Sequence, residues 1–345
     1  MTGVGPGTVT GAGRLDVAVE LEPYVARGLD RHLAAARPWF PHQYVPWGEG
    51  RPYDGPLGGE PWRPEQSALP TAVREALVVN LLTEDNLPSY HHEIARRFGR
   101  DGAWGTWVHR WTAEEDRHSH ALRSYLTVTR AVDPVALEEA RMRHLSRGYA
   151  LEQPTLLHGL AYVTVQELAT RISHRNTGLA CGDPAGERLL ARIAADENLH
   201  MVFYRDLCRH AVELVPDAFL RAFTDVVRTF RMPGHGMPGF TGKAARMAVA
   251  GIYDPRTHLD RVLRPLVRAL SLLERTGLGP EGERARDELG RHLDDLDARL
   301  SRRTGGTSRT APPDGPTPDP RPGPDPTPAP PASRAAVART PGEHP

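Results

Sequence analysis

Hydrophobic residues recur every three or four positions along most of the chain. Two such stripes cover residues 69–84 and 104–122, and two more cover residues 160–174 and 190–204. This spacing places apolar side chains on one face of a helix, whereas the period of two that is typical of strands is scarce. The pattern predicts an all-α bundle of long helices.

Helix-breaking residues separate the stripes, and shorter apolar patterns indicate further helices. The predicted breaks lie at residues 99–102, 133–134, 182–184 and 215–216, where Gly, Asp and Pro cluster. The additional helices are predicted at about residues 15–35, 134–149, 217–230, 242–252, 256–275 and 280–303.

Three segments depart from the helical pattern. Residues 40–66 are rich in Pro, Gly and large aromatic side chains, which predicts a connection packed across the bundle. Residues 311–345 hold 13 of the 33 prolines and almost no large apolar side chains, so they cannot bury enough surface to order. We therefore expect a flexible N-terminus at 1–13, one helical domain at 14–304 and a disordered Pro-rich tail at 305–345.

Composition narrows the functional classes. The chain has 345 residues, 39% apolar and 25% charged, which suits a soluble protein with a sizeable core. Its formal net charge is zero, so the total charge gives no argument for nucleic-acid binding. No segment has the roughly 18 to 20 uninterrupted apolar residues of a transmembrane helix. No secretory signal opens the sequence, so a cytoplasmic location is expected.

Cysteine makes little contribution to the chemistry. Cys181 and Cys208 are too few for a disulfide framework or an ordinary thiolate metal cage. We expect both to be small buried hydrophobic residues.

Two short segments each place a Glu three positions before a His. They read EEDRH at residues 114–118 and DENLH at residues 196–200. On a helix, residues three apart share a face, so each pair can direct an oxygen and a nitrogen at one point. A carboxylate has two oxygens and can bridge two cations. Two such helices facing each other would hold two metal ions.

Two further acidic residues complete the pattern. Glu84 lies 31 residues before Glu115, and Glu167 lies 30 before Glu197. Each sits on an otherwise apolar stripe, where an unpaired carboxylate is costly. The order Glu, Glu-x-x-His, Glu, Glu-x-x-His is that of ferritin-like di-iron carboxylate bundles. Oxygen-rich ligation with one imidazole per metal suits iron or manganese better than zinc.

The residues just before the paired glutamates leave two interpretations open. Glu114 and Asp196 could accept hydrogen bonds from imidazole N–H groups, or they could be surface charges.

With these motifs in view, the sequence resembles the soluble acyl-acyl carrier protein desaturases of plant plastids and bacteria. The similarity covers roughly residues 15–300. It is carried by LTEDNLPSY around Glu84, WTAEEDRH around Glu115, QELATRISHRNTG at 166–178, IAADENLH around Glu197, MPGH at 232–235 and TGLGPEGERARDEL at 276–289.

The resemblance implies a homodimeric helical bundle with two iron ions per chain. Such a site reacts with O2 and two electrons from reduced ferredoxin. It removes two hydrogens from a fatty acyl chain held on acyl carrier protein, leaving a cis double bond. The C–H bonds of a methylene chain are too inert for acid–base catalysis, which explains the need for a redox metal.

The resemblance also implies a role for each residue of the motifs. Glu115 and Glu197 would bridge the two irons. Glu84 and His118 would complete one iron, and Glu167 and His200 the other. Thr170 matches a threonine near the oxygen-binding face, although its hydroxyl could simply bond its own backbone. His174 falls in the ISH block of the family, and Trp39 matches a tryptophan proposed for electron entry.

Departures from the family spare these ligands. Leu168 replaces a usual Arg, and Asn198 and Leu199 replace two basic residues. These three changes affect instead the surface that would bind the carrier protein, or the choice of substrate. Candidate docking charges for an acidic carrier protein, which could equally be ordinary solvated side chains, are Arg221, Arg228, Arg231, Lys243 and Arg246.

Other functions remain compatible with the same ligands. A di-iron oxygenase that hydroxylates or N-oxygenates a carrier-bound substrate would differ only in its product. A ribonucleotide reductase small subunit would need a tyrosine four residues after the first His, where Leu122 stands, although Tyr204 has that spacing after the second. A non-catalytic iron-binding ferritin-like protein would have no use for an acyl channel or for residues 40–66.

Overall fold

The computed structural model describes residues 16–148, 154–232 and 234–304, and side chains up to residue 302. Its described ranges contain α-helices, short 3-10 turns and one isolated bridge between Tyr53 and Glu60, but no strand. The all-α prediction is therefore confirmed. The principal helices are α1 (Val17–Ala35), α2 (Thr71–Asp85), α3 (Leu87–Phe98), α4 (Gly102–Val128), α5 (Pro134–Leu145), α6 (Leu156–Ala180), α7 (Pro184–Leu214), α8 (Pro216–Thr229), α9 (Phe240–Val249), α10 (Pro255–His258), α11 (Arg264–Ala269) and α12 (Pro280–Thr304).

The predicted helix breaks are confirmed by the helix starts. The carboxylate of Asp133 accepts hydrogen bonds from the first free amides of α5, and Asp183 does the same for α7. Pro134 and Pro184 follow these caps at the first helical position, where a missing N–H costs nothing.

Two features were not predicted from the sequence. Residues 71–98 form two helices, because the first helix ends at its C-cap Asn86 and the second begins with Leu87 and Pro88. The segment predicted as one helix at 256–275 ends at Ala269 and contains a π-helical turn at Leu259–Leu263. Pro265 follows that turn, and because it has no N–H it cannot continue a regular α-helical ladder.

Helices α2, α4, α6 and α7 carry the predicted metal ligands and pack against one another. Helix α6 packs along α7, and α4 contacts α2 and α7. Helix α1 covers α4 and α7 from outside. A Cβ at Gly28 of α1 would lie 2.9 Å from a ring carbon of Phe203, so the glycine permits this close approach.

The aromatic segment at 40–66 packs against the end of α4, as predicted. The guanidinium of Arg130 is 3% exposed and donates to the carbonyl oxygens of Glu60 and Pro61 and to the Gln66 side chain. Trp62 donates its indole N–H back to the Arg130 carbonyl oxygen. A single buried arginine therefore fixes much of this segment.

Other expectations have different outcomes. Both cysteines are buried, as predicted. No helix in the described part of the chain is long and apolar enough to cross a membrane. The flexible N-terminus at 1–13 and the tail at 305–345 lie outside the described residues and stay predictions.

Candidate metal centre

The structure brings all six predicted ligands together in the interior. They come from four helices, with Glu84 on α2, Glu115 and His118 on α4, Glu167 on α6, and Glu197 and His200 on α7. Every one of these side chains belongs to a residue that is at most 7% exposed. Helical spacing therefore predicted a spatial cluster from residues up to 116 positions apart in sequence.

The six residues form two overlapping groups. Glu84 and His118 lie together with Glu115 and Glu197, and Glu167 and His200 lie together with the same two glutamates. In each group one ligand atom per residue lies within 4.8 Å of the others. The carboxylates common to both groups, Glu115 and Glu197, are those that the resemblance assigns as bridges.

Several polar atoms of this cluster have no hydrogen bond within the described chain. Nδ1 of His118 lies 3.3 Å from Glu115 Oε2, and Nδ1 of His200 lies 2.7 Å from Glu115 Oε1. Their geometry is not that of hydrogen bonds, and both nitrogens are unsatisfied, as are Oε1 of Glu115 and Oε2 of Glu167. Buried orphan atoms are costly. A pair of cations would satisfy them, and four carboxylates with two imidazoles suit iron or manganese.

The electrostatics of the cluster reflect crowded negative charge. Burial, followed by the charge of Glu197, raises the pKa of Glu115 and raises that of Glu167 well above its usual range. Burial opposes ionisation of Glu84 as well, but the neighbouring imidazoles of His118 and His174 outweigh it and lower the pKa of Glu84. Four buried carboxylates repel one another, and bound cations would relieve that repulsion.

Each imidazole is oriented by the motif on the opposite helix. Nε2 of His200 lies 2.9 Å from Glu114 Oε2, and Nε2 of His118 lies 3.5 Å from Asp196 Oδ2. Both carboxylates are buried, so they are not surface charges. A carboxylate on Nε2 leaves Nδ1 free to face the centre, which is the usual arrangement around a metal-binding histidine.

The two outer carboxylates have different further partners. Asp196 accepts a 2.6 Å hydrogen bond from the indole N–H of Trp39. Trp39 is 2% exposed, and its ring is stacked beside that of His118 with a centroid distance of 6.4 Å. Glu114 accepts from His32 at 2.9 Å. The sequence analysis missed His32, although it continues the buried stripe of α1 at the spacing of Leu21, Val25 and Leu29.

Thr170 and His174 also face the cluster. The Thr170 hydroxyl lies 2.9 Å from Glu197 Oε2 and 3.1 Å from two carbonyl oxygens of its own helix, so it contacts a predicted ligand as well as its own backbone. His174 donates to Glu84 at 3.1 Å, while Asn80 lies 3.3 Å from its other nitrogen. Trp111, which the sequence analysis also missed, donates to Glu167 at 3.1 Å.

A cavity of about 390 Å³ adjoins the cluster. Glu84, Thr170 and His174 form part of its wall, together with other side chains of α2 and α6 and side chains from α8, α9, α10 and α12 and the segments between them. Its apolar lining includes Val79, Val227, Phe230, Met232, Phe240, Met247, Leu263 and Leu296. A volume of this size is in the range of small-molecule sites and suits an extended apolar chain.

The predicted docking charges are partly committed to partners within the chain. Arg221 and Arg228 pair with Glu288 of α12, and Arg246 pairs with Glu75 of α2. Ion pairs of this kind leave less positive charge for an acidic partner.

Comparisons with known proteins agree with this architecture. Residues 13–312 match the family model described as fatty acid desaturase. DesA1 of Mycobacterium tuberculosis, whose name describes an acyl-[acyl-carrier-protein] desaturase, is 50% identical over 291 residues, or 82% of this chain and 86% of that protein. Acyl-[acyl-carrier-protein] desaturase 7 of Oryza sativa is 33% identical over 296 residues, covering 79% of this chain and 73% of the rice protein.

A solved structure shares the fold. The X-ray structure of DesA2, an acyl-ACP desaturase by its description, from M. tuberculosis H37Rv superimposes with a TM-score of 0.64 at 30% identity. The match covers 78% of this chain and 98% of that chain. This protein belongs to the acyl-[acyl-carrier-protein] desaturase family of oxidoreductases.

Proposed function

We propose that this enzyme uses two iron ions, O2 and electrons from ferredoxin to desaturate a fatty acyl chain carried on acyl carrier protein. The observation that carries the proposal is the pair of ligand groups that share Glu115 and Glu197 beside an apolar cavity. Two iron ions held there would supply the oxidising power that removal of hydrogen from a methylene requires. Manganese would suit the same donor set.

The ligands match two ferrous ions in charge as well as in number. Four carboxylates carry four negative charges when ionised, which balances two divalent cations in a buried site. Glu84 and His118 would hold one ion, Glu167 and His200 the other, and the shared carboxylates both. Asp196 and Glu114 keep the two imidazoles in the tautomer that presents Nδ1 to the centre.

The cavity supplies positioning and dryness. Its apolar wall would hold the acyl chain against Glu84 and Thr170 while excluding water. The Thr170 hydroxyl reaches both the cavity and Glu197, so it can hold or pass a proton at Oε2 of that glutamate. Thr170 is therefore the proposed catalytic residue beside the ligands.

Electrons would enter through Trp39. Its indole is hydrogen-bonded to Asp196, which lies against His118, so a short polar path leads from this ring to the cluster. The guanidinium groups of Arg117 and Arg192 lie over the same indole. Ferredoxin as the donor and a homodimeric assembly stay predictions from the resemblance, and a cytoplasmic location stays a prediction from the N-terminal sequence.

The test is reconstitution of the full chain with ferrous iron without O2, followed by O2, reductant and acyl-acyl carrier protein. Mass spectrometry of the acyl product should show the loss of two hydrogens. A gain of one oxygen would instead indicate hydroxylation. Iron accumulating far beyond two per chain without any acyl change would indicate storage and reject the proposal.

A further inference from the structure

Two polar side chains in the wall of the acyl cavity have no part in the metal centre. Tyr253 and His258 line the cavity, and the phenol oxygen lies 2.8 Å from His258 Nδ1. The imidazole is stacked on Phe230, with ring centroids 5.0 Å apart and planes 15° apart. The ring of His258 is therefore fixed on one edge and on one face.

This geometry defines where the imidazole proton lies. Within the described chain, the Tyr253 O–H has no other acceptor than His258 Nδ1, and the hydroxyl is satisfied as a donor only when it donates to that nitrogen. Burial lowers the pKa of His258 to about 4, so the ring is neutral near neutral pH. A neutral imidazole whose Nδ1 accepts a hydrogen bond carries its proton on Nε2.

The Nε2–H group is left without an acceptor among the described residues. Tyr253 occupies the Nδ1 edge and Phe230 covers one face of this cavity-lining ring, which leaves the Nε2 edge available to a molecule in the cavity. A donor in a largely apolar cavity loses free energy unless a bound molecule supplies an acceptor. The tautomer and the stack together present one directed N–H to whatever occupies the cavity.

We propose that His258 is a specificity-determining residue whose Nε2–H binds a carbonyl oxygen of the carrier-bound substrate. This inference rests on the proposed function. The carbonyl could be that of the acyl thioester or of an amide in the arm that links it to the carrier, since both offer the same acceptor. A methylene chain has no polar feature of its own, so a fixed anchor for its carbonyl end sets which carbon lies beside Glu84 and Thr170.

Three substitutions separate anchoring from packing. His258→Phe keeps a ring on Phe230 but removes both nitrogens. His258→Gln retains an acceptor for Tyr253 and a donor for the cavity, and Tyr253→Phe removes the O–H that fixes the tautomer. The control is His210→Phe on α7, a partly buried histidine that packs at a tilt of 34° against the ring of Tyr24 outside the cavity.

The primary measurement is binding of palmitoyl and stearoyl thioesters of acyl carrier protein to the full-length, iron-loaded protein without O2. We expect His258→Phe to raise Kd about 3- to 10-fold, the loss of one hydrogen bond. His258→Gln and His210→Phe should bind with the Kd of wild type. The Kd of Tyr253→Phe should lie between those of wild type and His258→Phe. In turnover, KM should rise more than kcat falls, and His258→Phe should give a mixture of double-bond positions.

The outcomes distinguish this inference from the function on which it rests. Unchanged Kd and a single unchanged double-bond position in His258→Phe, with normal turnover, would overturn the anchor and leave the desaturase function standing. Failure of the wild-type protein to bind or desaturate either thioester would overturn both. A further comparison uses thioesters that lack the arm amides. If these bind to His258→Phe and to wild type with equal Kd, the anchored carbonyl is that of an arm amide.

Discussion

Glu114 on α4 accepts a 2.9 Å hydrogen bond from His200 on α7, although the histidine of its own motif is His118. Asp196, beside Glu197 on α7, lies against His118 in return. The first acidic residue of each motif therefore orients the histidine of the other. The two repeats of the sequence are a reciprocal pair, because each helix carries predicted ligands and also a carboxylate that contacts the histidine of the other helix.

This reciprocity predicts that the outer carboxylates affect metal affinity from outside the ligand set. Glu114→Gln and Asp196→Asn should each weaken ferrous iron binding about 10- to 100-fold, because the imidazole loses the charged acceptor that orients it. Anaerobic competition with a ferrous chelator measures the change. Glu93→Gln on α3, a buried carboxylate paired with Arg96, is the control. Wild-type affinity in both outer variants would contradict the prediction.

The shared carboxylates should be indispensable. Glu115→Ala or Glu197→Ala removes a residue that belongs to both ligand groups, so neither variant should bind iron stoichiometrically. Metal analysis after anaerobic loading and desalting checks this directly. Two irons per chain retained in both variants would show that the ligand assignment is wrong.

Thr170 should affect turnover and leave metal content unchanged. Thr170→Val keeps the shape of the side chain but removes the hydroxyl that lies 2.9 Å from Glu197. We expect kcat to fall about 10- to 100-fold, the effect of losing one hydrogen bond to a charged group. Thr170→Ser retains the hydroxyl and should recover most of the rate. Equal rates for the Val variant and wild type would assign the hydroxyl to helix structure alone.

Much of the metal centre was predictable because its information is local. Helical spacing put Glu115 and His118 on one face, and apolar stripes placed Glu84 and Glu167 in the interior. Asp133 and Asp183 marked helix starts through capping chemistry that involves only neighbouring residues.

The remaining features depend on contacts between distant segments. His32 contacts Glu114 across 82 positions, and Trp39 contacts Asp196 across 157. No periodicity predicts which carboxylate of one helix meets which imidazole of another, because lateral packing decides it. His258 likewise has no signal in its own helix, since its role follows from Phe230 and from the shape of the cavity.

Acid should destabilise the protein partly through His258. Its pKa is about 4 when folded, against an ordinary value of 6.5, so between these values the unfolded chain binds more protons. Stability from this group is complete above about pH 6.5 and is lost toward pH 4, by about 3 kcal/mol. Chemical unfolding across this range should show a shallower decline for His258→Phe than for wild type. The exposed His235 offers a control substitution, His235→Phe, which should keep the wild-type slope.

Arg130 should stabilise the fold out of proportion to its size. Arg130→Ala removes the guanidinium hydrogen bonds to the carbonyl oxygens of Pro52, Glu60 and Pro61, and we expect a loss of about 2–4 kcal/mol of unfolding free energy. Arg130→Lys should recover only part of this unfolding free energy, because an ammonium group lacks the forked donors of a guanidinium. Limited proteolysis should cut the Ala variant first within residues 50–66. Arg63→Ala, at an exposed arginine of the same segment, is the matched control.

The segment that Arg130 fastens begins beside Trp39, whose indole is stacked beside the ring of His118. The contacts of this segment with α4 should therefore affect the residence time of a bound ion as well as its affinity. If the segment opens locally, a chelator gains access to one imidazole while the four-helix interior is still intact. Residence time of an ion in that position would then depend on this segment and on Arg130, whereas an ion held by His200 would lie behind helix α1 and should leave more slowly.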